Sequence, residues 1–282
     1  MQMHRTTRWR SGCIPSANIA ASVISSVRRH YTHDRSMAKP KKQSLGESRG
    51  IYDSRESKSI AVVLIASDVD ATSKALADEL RSERRECDIY GKKLKFTGTA
   101  YFPFQLQGHT WTSIVSAYDP EAFDTSLAKR LSARLKTKAI GYVFESVSCS
   151  TTCDLFDGGE LMEVIHHDLE SDAAKAKLLT PAEFAQLAKK GSRDGFYFHS
   201  KIRPLKAGAI TEDSLEDAVA DFFRAQDALL FIFTSQKGGT FTLDRGTATD
   251  VLRADMVLAN PNQKTDKKKQ LEAMLKQFPW NK

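Results

Sequence analysis

The seven residues Ile60-Ala-Val-Val-Leu-Ile-Ala66 are apolar without a break and rich in β-branched side chains. A run this short, with no polar alternation, is a strand buried on both faces, so it belongs in the middle of a sheet with packing layers above and below. Ser67 to Asp70 then supply capping side chains, and Ala75, Leu76 and Leu80 share one side, which predicts a helix from about Ala71 to Arg85. Aromatic residues and partial alternation around Gln107-Gly108-His109 predict an antiparallel pair between Ile89 and Tyr118.

Phe123, Leu127, Leu131 and Leu135 repeat every four residues and predict a helix from Pro120 to about Lys136. Ala139 to Phe144 reads as a buried strand, and Thr151 to Ile165 folds back on Asp157-Gly158-Gly159, a hairpin signal. In Thr180-Pro181-Ala182-Glu183 a capping Thr precedes Pro at the first helical position, and Glu follows three residues after the cap; a helix starts there and ends near Gly191. A strand at Gly195 to Ile202, a helix at Thr211 to Ala225 and a buried strand at Ala228 to Phe233 follow. The last leads through Gly238-Gly239 into Thr240 to Leu243.

The order helix, apolar strand, Gly-Gly turn, strand therefore occurs twice, roughly 90 residues apart, as a duplicated unit would. The fold class is α+β: helices on a mainly antiparallel sheet, arranged as two related α/β lobes between about Lys58 and Asn260. Residues 261–282 are Lys-rich, with Leu271, Leu275 and Phe278 at the spacing of a short amphipathic tail helix.

Charge is unevenly placed. Residues 1–57 hold eleven Lys and Arg against four acids, the entire net charge of +7, whereas residues 58–282 hold 31 of each. The segment 58–260 alone is slightly acidic, with 25 basic and 29 acidic side chains. The usual step from a basic protein to a nucleic-acid partner thus fails for the folded part, and no nucleic acid is expected. Residues 1–57 lack apolar periodicity and are expected to be disordered. Arg5, Arg8, Arg10, Arg28 and Arg29 with no acid before Asp34 have the composition of an organellar transit peptide. A secretory signal fits less well, because Pro15, Asn18 and several serines interrupt the apolar stretch. The preferred reading is a start at Met37 and a cytoplasmic protein, with organellar targeting by residues 1–36 left open. No run reaches the length of a membrane span, and four cysteines at Cys13, Cys87, Cys149 and Cys153 do not make the framework of a secreted domain.

Two constellations carry chemistry. Asp68-Val-Asp-Ala-Thr72, directly after a buried strand, resembles the first motif of haloacid-dehalogenase-type phosphotransferases. The resemblance implies Asp68 as the nucleophile, Asp70 as the acid/base and Thr72 as a supporting hydroxyl, with Mg²⁺ held by the two carboxylates. It further implies a Ser or Thr ending a second strand, which Thr234 or Ser235 would supply, and a Lys, which Lys237 or Lys264 would supply. The family's last acidic pair has no counterpart, since Asp250 and Asp255 lie in a segment that reads as helical. The competing reading makes Ser67, Asp68 and Asp70 the N-cap and first-turn acids of the next helix.

The second constellation is Cys149-x-x-x-Cys153 with His166 and His167, which has the ligand types of a tetrahedral zinc site, with Cys149, Cys153 and His166 as the candidate ligands. Adjacent strand residues point to opposite faces, so His166 and His167 do not reach one ion together. His109 and His199 read as strand residues with satisfied hydrogen bonds. P-loop, dinucleotide, H-E-x-x-H, C-x-x-C and G-x-S-x-G motifs are absent. The function expected on this basis is non-catalytic: an intracellular binding protein whose sheet edge or inter-lobe groove takes a protein partner. The alternative is a Mg²⁺-dependent phosphohydrolase using Asp68 and Asp70. Cofactor and oligomeric state are not specified by the sequence.

Overall fold

The computed structural model describes residues 47–52, 60–96, 99–116, 125–145, 150–168, 173–190, 194–231 and 251–259. All of them belong to the unit Ser44–Lys282. The basic segment up to residue 46, the strand expected at 240–243 and the tail helix at 261–282 lie outside the described residues.

The strands are β1 (Gly50–Tyr52), β2 (Ile60–Ile65), β3 (Arg84–Glu86), β4 (Thr99–Leu106), β5 (Thr112–Ser116), β6 (Lys138–Glu145), β7 (Ser150–Asp157), β8 (Glu160–His167), β9 (Lys177–Leu178), β10 (Tyr197–Ser200), β11 (Leu229–Phe231), β12 (Val251–Ala254) and β13 (Met256–Ala259). The α-helices are α1 (Val69–Glu79), α2 (Thr125–Leu135), α3 (Pro181–Lys190) and α4 (Leu215–Ala225). One sheet of 11 strands runs β3-β13-β4-β5-β2-β6-β7-β8-β10-β9, with β12 also paired to β4. Every pairing in it is antiparallel except β9 with β10. The fold is α+β.

β2 sits fifth from one end, between β5 and β6, and its alternate residues serve two cores. Ala61, Val63 and Ile65 pack with Leu76 of α1, Leu127 and Leu131 of α2 and Phe184 of α3. Val62 and Leu64 face the opposite layer, which holds Val219, Phe222 and Phe223 of α4 together with β11. That double burial is why the strand carries no polar alternation. Each such leucine or isoleucine contributes about 1.5–3 kcal/mol through water exclusion.

Turns and caps follow the local sequence. Gly158 and Gly159 have φ of +56° and +87°, the left-handed pair that a two-residue hairpin between β7 and β8 requires. Thr180 and Glu183 exchange hydrogen bonds at the start of α3: the Thr180 amide donates to Glu183 Oε2 at 2.9 Å and the Glu183 amide to Thr180 Oγ1 at 3.3 Å.

Four expectations change. The helix after β2 is shorter than predicted, because Arg81 at φ +50° ends it and Ser82 donates its amide back to Ala77 O at 2.8 Å, after which Arg84–Glu86 form β3. Ordered structure begins before residue 58, since β1 pairs in parallel with β11. That pairing also separates the two halves of the supposed repeat. β6 lies inside the large sheet, whereas β11 lies in a two-stranded sheet of its own, and β6 to β10 form one continuous ladder, not two lobes. The segment around Asp255 is strand and not helix. Pro103 in β4 has no N–H to offer a neighbouring strand, and the ladder breaks opposite it, so that β12 and β13 are separated by Asp255.

Candidate functional site

The residues of the D-x-D-x-T motif follow β2 directly, and the fold gives each a different task. Asp68 is the N-cap of α1, its carboxylate accepting the Ala71 amide at 2.8 Å. Asp70, in the first turn, is turned outward and meets two guanidinium groups. Arg253 Nη2 from β12 donates to it at 3.3 Å, and Arg85 from β3 donates to the same oxygen. Thr72 is fully buried beneath the helix, and its hydroxyl has no hydrogen-bond partner.

The two arginines also hold a second carboxylate. Asp255 is completely buried in the break between β12 and β13. It accepts Arg253 Nε at 3.0 Å and Nη2 at 3.1 Å, Arg85 Nη2 at 3.2 Å and the Asp88 amide at 3.2 Å, while its own amide donates to Pro103 O at 2.8 Å. A buried carboxylate is tolerable only when paired and hydrogen-bonded, and here both oxygens are. The Arg85 hydrogen bond, reinforced by Arg253, holds the Asp70 carboxyl below the ordinary aspartate range. Burial alone would lower the Arg85 pKa, but its hydrogen bonds to Asp70 and Asp255 raise it, and the hydrogen bond to Asp255 does the same for Arg253. An ionised Asp70 between two guanidiniums is a poor proton donor, and a divalent cation at this position would have to compete with both. β2 is antiparallel to both neighbours, unlike the doubly wound parallel sheet that the phosphotransferase resemblance implies.

Above this cluster lies an open depression of about 500 Å³, lined by Asp68, Asp70, Gln105, Leu252 and Arg253 among others. Its apolar wall comes from a β-bulge. Between Val251, opposite Leu106, and Arg253, opposite Gln105, Leu252 is the extra residue. The bulge turns Arg253 toward the carboxylates and leaves Leu252 61% exposed.

The proposed zinc ligands do not converge. Cys149 lies outside the described residues. His166 stands opposite Thr152, with Nδ1 2.9 Å from Thr152 Oγ1, and stacks on Tyr197 at 4.8 Å. Cys153, adjacent to Thr152, points to the other face of the sheet and is fully buried in the core under α4. His167 shares that face, edge-on to Phe196 and 3.7 Å from Glu212, with neither ring nitrogen hydrogen-bonded. Among the described residues no group of three or more His, Cys, Asp or Glu is placed to hold a metal ion. Burial, the largest influence, lowers the pKa of His166. His199 lies on β10 with Nδ1 2.7 Å from Leu179 O, as expected of a satisfied strand histidine. His109 lies in the turn after β4 and not on a strand; its carbonyl accepts Gln105 Nε2 at 2.7 Å.

Arg85, Leu252 and Arg253 are therefore residues that the sequence did not single out, and Asp255, set aside there as part of a helical segment, joins them. Two signals bear on them: a proline inside an otherwise apolar strand, and an aspartate interrupting Val251 to Ala259. Thr234, Ser235, Lys237, Asp250 and Lys264 lie outside the described residues. The chain matches no protein-family model, no curated protein and no solved structure.

Proposed function

We propose that this chain is an intracellular, non-catalytic binding protein and that the face around Leu252 receives a protein partner. The observation that carries the reading is the placement of Leu252: a large aliphatic side chain, 61% exposed, lifted by a bulge at the rim of a depression that Asp68, Asp70, Gln105 and Arg253 also line, together with Val69 and Ala71. An exposed apolar anchor flanked by charged groups is the anatomy of a protein-binding surface. The edges of the large sheet support docking by side chains over strand addition. Among the described residues its outermost strands, β3 and β9, are three and two residues long and bear Arg84, Arg85, Glu86 and Lys177, and β12, which pairs only with β4, is four residues long and interrupted by the bulge at Leu252. No helix among the described residues is long and apolar enough to cross a membrane.

The competing reading is a Mg²⁺-dependent phosphohydrolase, favoured by the presence of both Asp68 and Asp70 beside the depression. Two measurements separate them. A photo-crosslinking amino acid at position 252, expressed in the native cell, is expected to trap a partner protein, and the same probe at the exposed Ile202 is not. A general phosphatase screen with Mg²⁺ is expected to show no turnover. Turnover abolished by Asp68→Asn, a change that preserves the helix cap, would overturn the binding-only reading.

A further inference from the structure

The direction in which the charges face at this site narrows the chemistry of the partner. Asp255 is the acceptor at the bottom of the cluster, fully buried, and it draws both guanidiniums inward, leaving the side chains of Arg85 and Arg253 only 23% and 30% exposed. The remaining carboxylates stand outside them. The side chains of Asp70 and Asp88 are 64% and 73% exposed, and Asp68 joins Asp70 at the depression. Asp68, Asp70, Asp88 and Asp255 against Arg85 and Arg253 leave an excess of two negative charges over the whole cluster. At the depression itself Asp68 and Asp70 stand against Arg253, whose guanidinium is already engaged by Asp70 and Asp255, so the balance an approaching molecule meets is acidic.

We infer that the occupant of the Leu252 face is a basic stretch of a partner protein, in extended conformation, with a bulky apolar side chain flanked by Lys or Arg. This rests on the reading of the face as a protein-binding surface and specifies what binds there. The apolar side chain packs against Leu252, and the flanking cation reaches Asp68 and Asp70. Asp70 already has two donors on one oxygen, so a third cation extends an existing alternation of charge and needs no rearrangement. An acidic segment would set carboxylates against Asp70 and Asp88 with both arginines already engaged, so the same arrangement selects against it. The depression, at about 500 Å³, is of a size to accept one or two side chains but not a helix.

The test uses the full chain, isotope-labelled, and two synthetic peptides as probes: Gly-Lys-Leu-Leu-Arg-Gly and its acidic counterpart Gly-Glu-Leu-Leu-Glu-Gly. The basic peptide is expected to shift the amide resonances of Val69, Asp70, Leu252 and Arg253 saturably, with the acidic one at least ~10-fold weaker. Binding is expected to weaken several-fold when salt rises from about 50 mM to about 300 mM. Leu252→Ser and Asp70→Asn should each weaken it about 5-fold or more with the thermal midpoint little changed, since both side chains are largely exposed. Equal binding of the two peptides, shifts confined to another surface, or no shifts at all would overturn the inference. Resonances at 252 that move with protein concentration alone would overturn it in favour of a second copy of this chain. A partner still trapped at position 252 while the basic peptide fails removes only the inferred occupant; the binding reading itself falls when nothing is trapped.

Discussion

Arg203 closes over the fully buried carboxylate of Glu163, its Nε 3.0 and 3.1 Å from the two oxygens and Nη2 bonded to one of them, with Ser200 Oγ adding a third donor at 3.1 Å. The pair bridges β8 and the segment after β10, on the sheet face that also carries Cys153. Removing one partner leaves a charge in the interior, which costs about 3–5 kcal/mol, whereas replacing both by apolar groups of similar size costs far less. Arg203→Ala is therefore expected to lower stability in urea by that amount, and Glu163→Leu with Arg203→Met to recover most of it. A loss below about 1 kcal/mol for Arg203→Ala would mean that water reaches Glu163.

Asp154, on the opposite face of β7, is buried, and burial pushes its carboxyl pKa up to about 6 despite a hydrogen bond from Thr125. The folded value lies above the ordinary one, so the protonated carboxyl is the form that the fold accommodates. Its stabilising contribution is complete below the unfolded pKa near 3.8 and is lost as pH rises through about 6. Asp154→Asn is expected to stabilise the protein on the order of 2–3 kcal/mol at about pH 7.5 and by little at about pH 4. Thermal unfolding of both proteins across that range checks the sign; an equal gain at both ends would remove titration as the cause.

The hairpin between β7 and β8 gives a graded pair of substitutions. A Cβ on Gly158 would meet nothing within 4 Å, so Gly158→Ala bears only the left-handed backbone penalty of about 1 kcal/mol. A Cβ on Gly159 would lie 2.7 Å from Ala133 Cβ of α2. Gly159→Ala is expected to cost more than twice as much, because α2 must shift. Chemical denaturation of the two variants is the check.

Much of the fold was legible where local sequence decides local structure, as in the capping box of α3, the Gly-Gly hairpin and the unbroken apolar run of β2. β1 and β3 were not. Gly50–Tyr52 and Arg84–Glu86 have no apolar pattern of their own and become strands only by pairing with β11 and β13, far along the chain. The same limit applies to the site. The role of Asp68 as a helix cap is settled by a neighbour three residues away, but Asp70 meets arginines 15 and 183 residues distant. The misreading of Val251 to Ala259 has a definite source: Leu252 and Met256 sit four apart as on a helix, and only the missing N–H of Pro103 in another strand explains why the segment is broken strand.

Cysteine chemistry gives a further check. Cys87 is exposed, whereas Cys153 is buried and its thiol pKa is pushed up by burial. Since the thiolate is the nucleophile, Cys87 should react with an aromatic disulfide in the native protein and Cys153 only on unfolding. Peptide mass mapping after a short exposure distinguishes them, and early labelling of Cys153 would mean that the layer under α4 opens readily.

The two ends of the large sheet bear on how this protein behaves when concentrated. Arg84 is paired with Glu86 on β3, and Lys177 is paired with Glu183 of α3 beside β9, so a second molecule arriving edge-on meets ion pairs and only a few backbone groups to align with. Strand-by-strand polymerisation is the route by which flat sheets become fibrils, and it needs a long, uncharged template. Among the described residues β3 and β9 offer only short, charged edges, a poor template for growth of that kind.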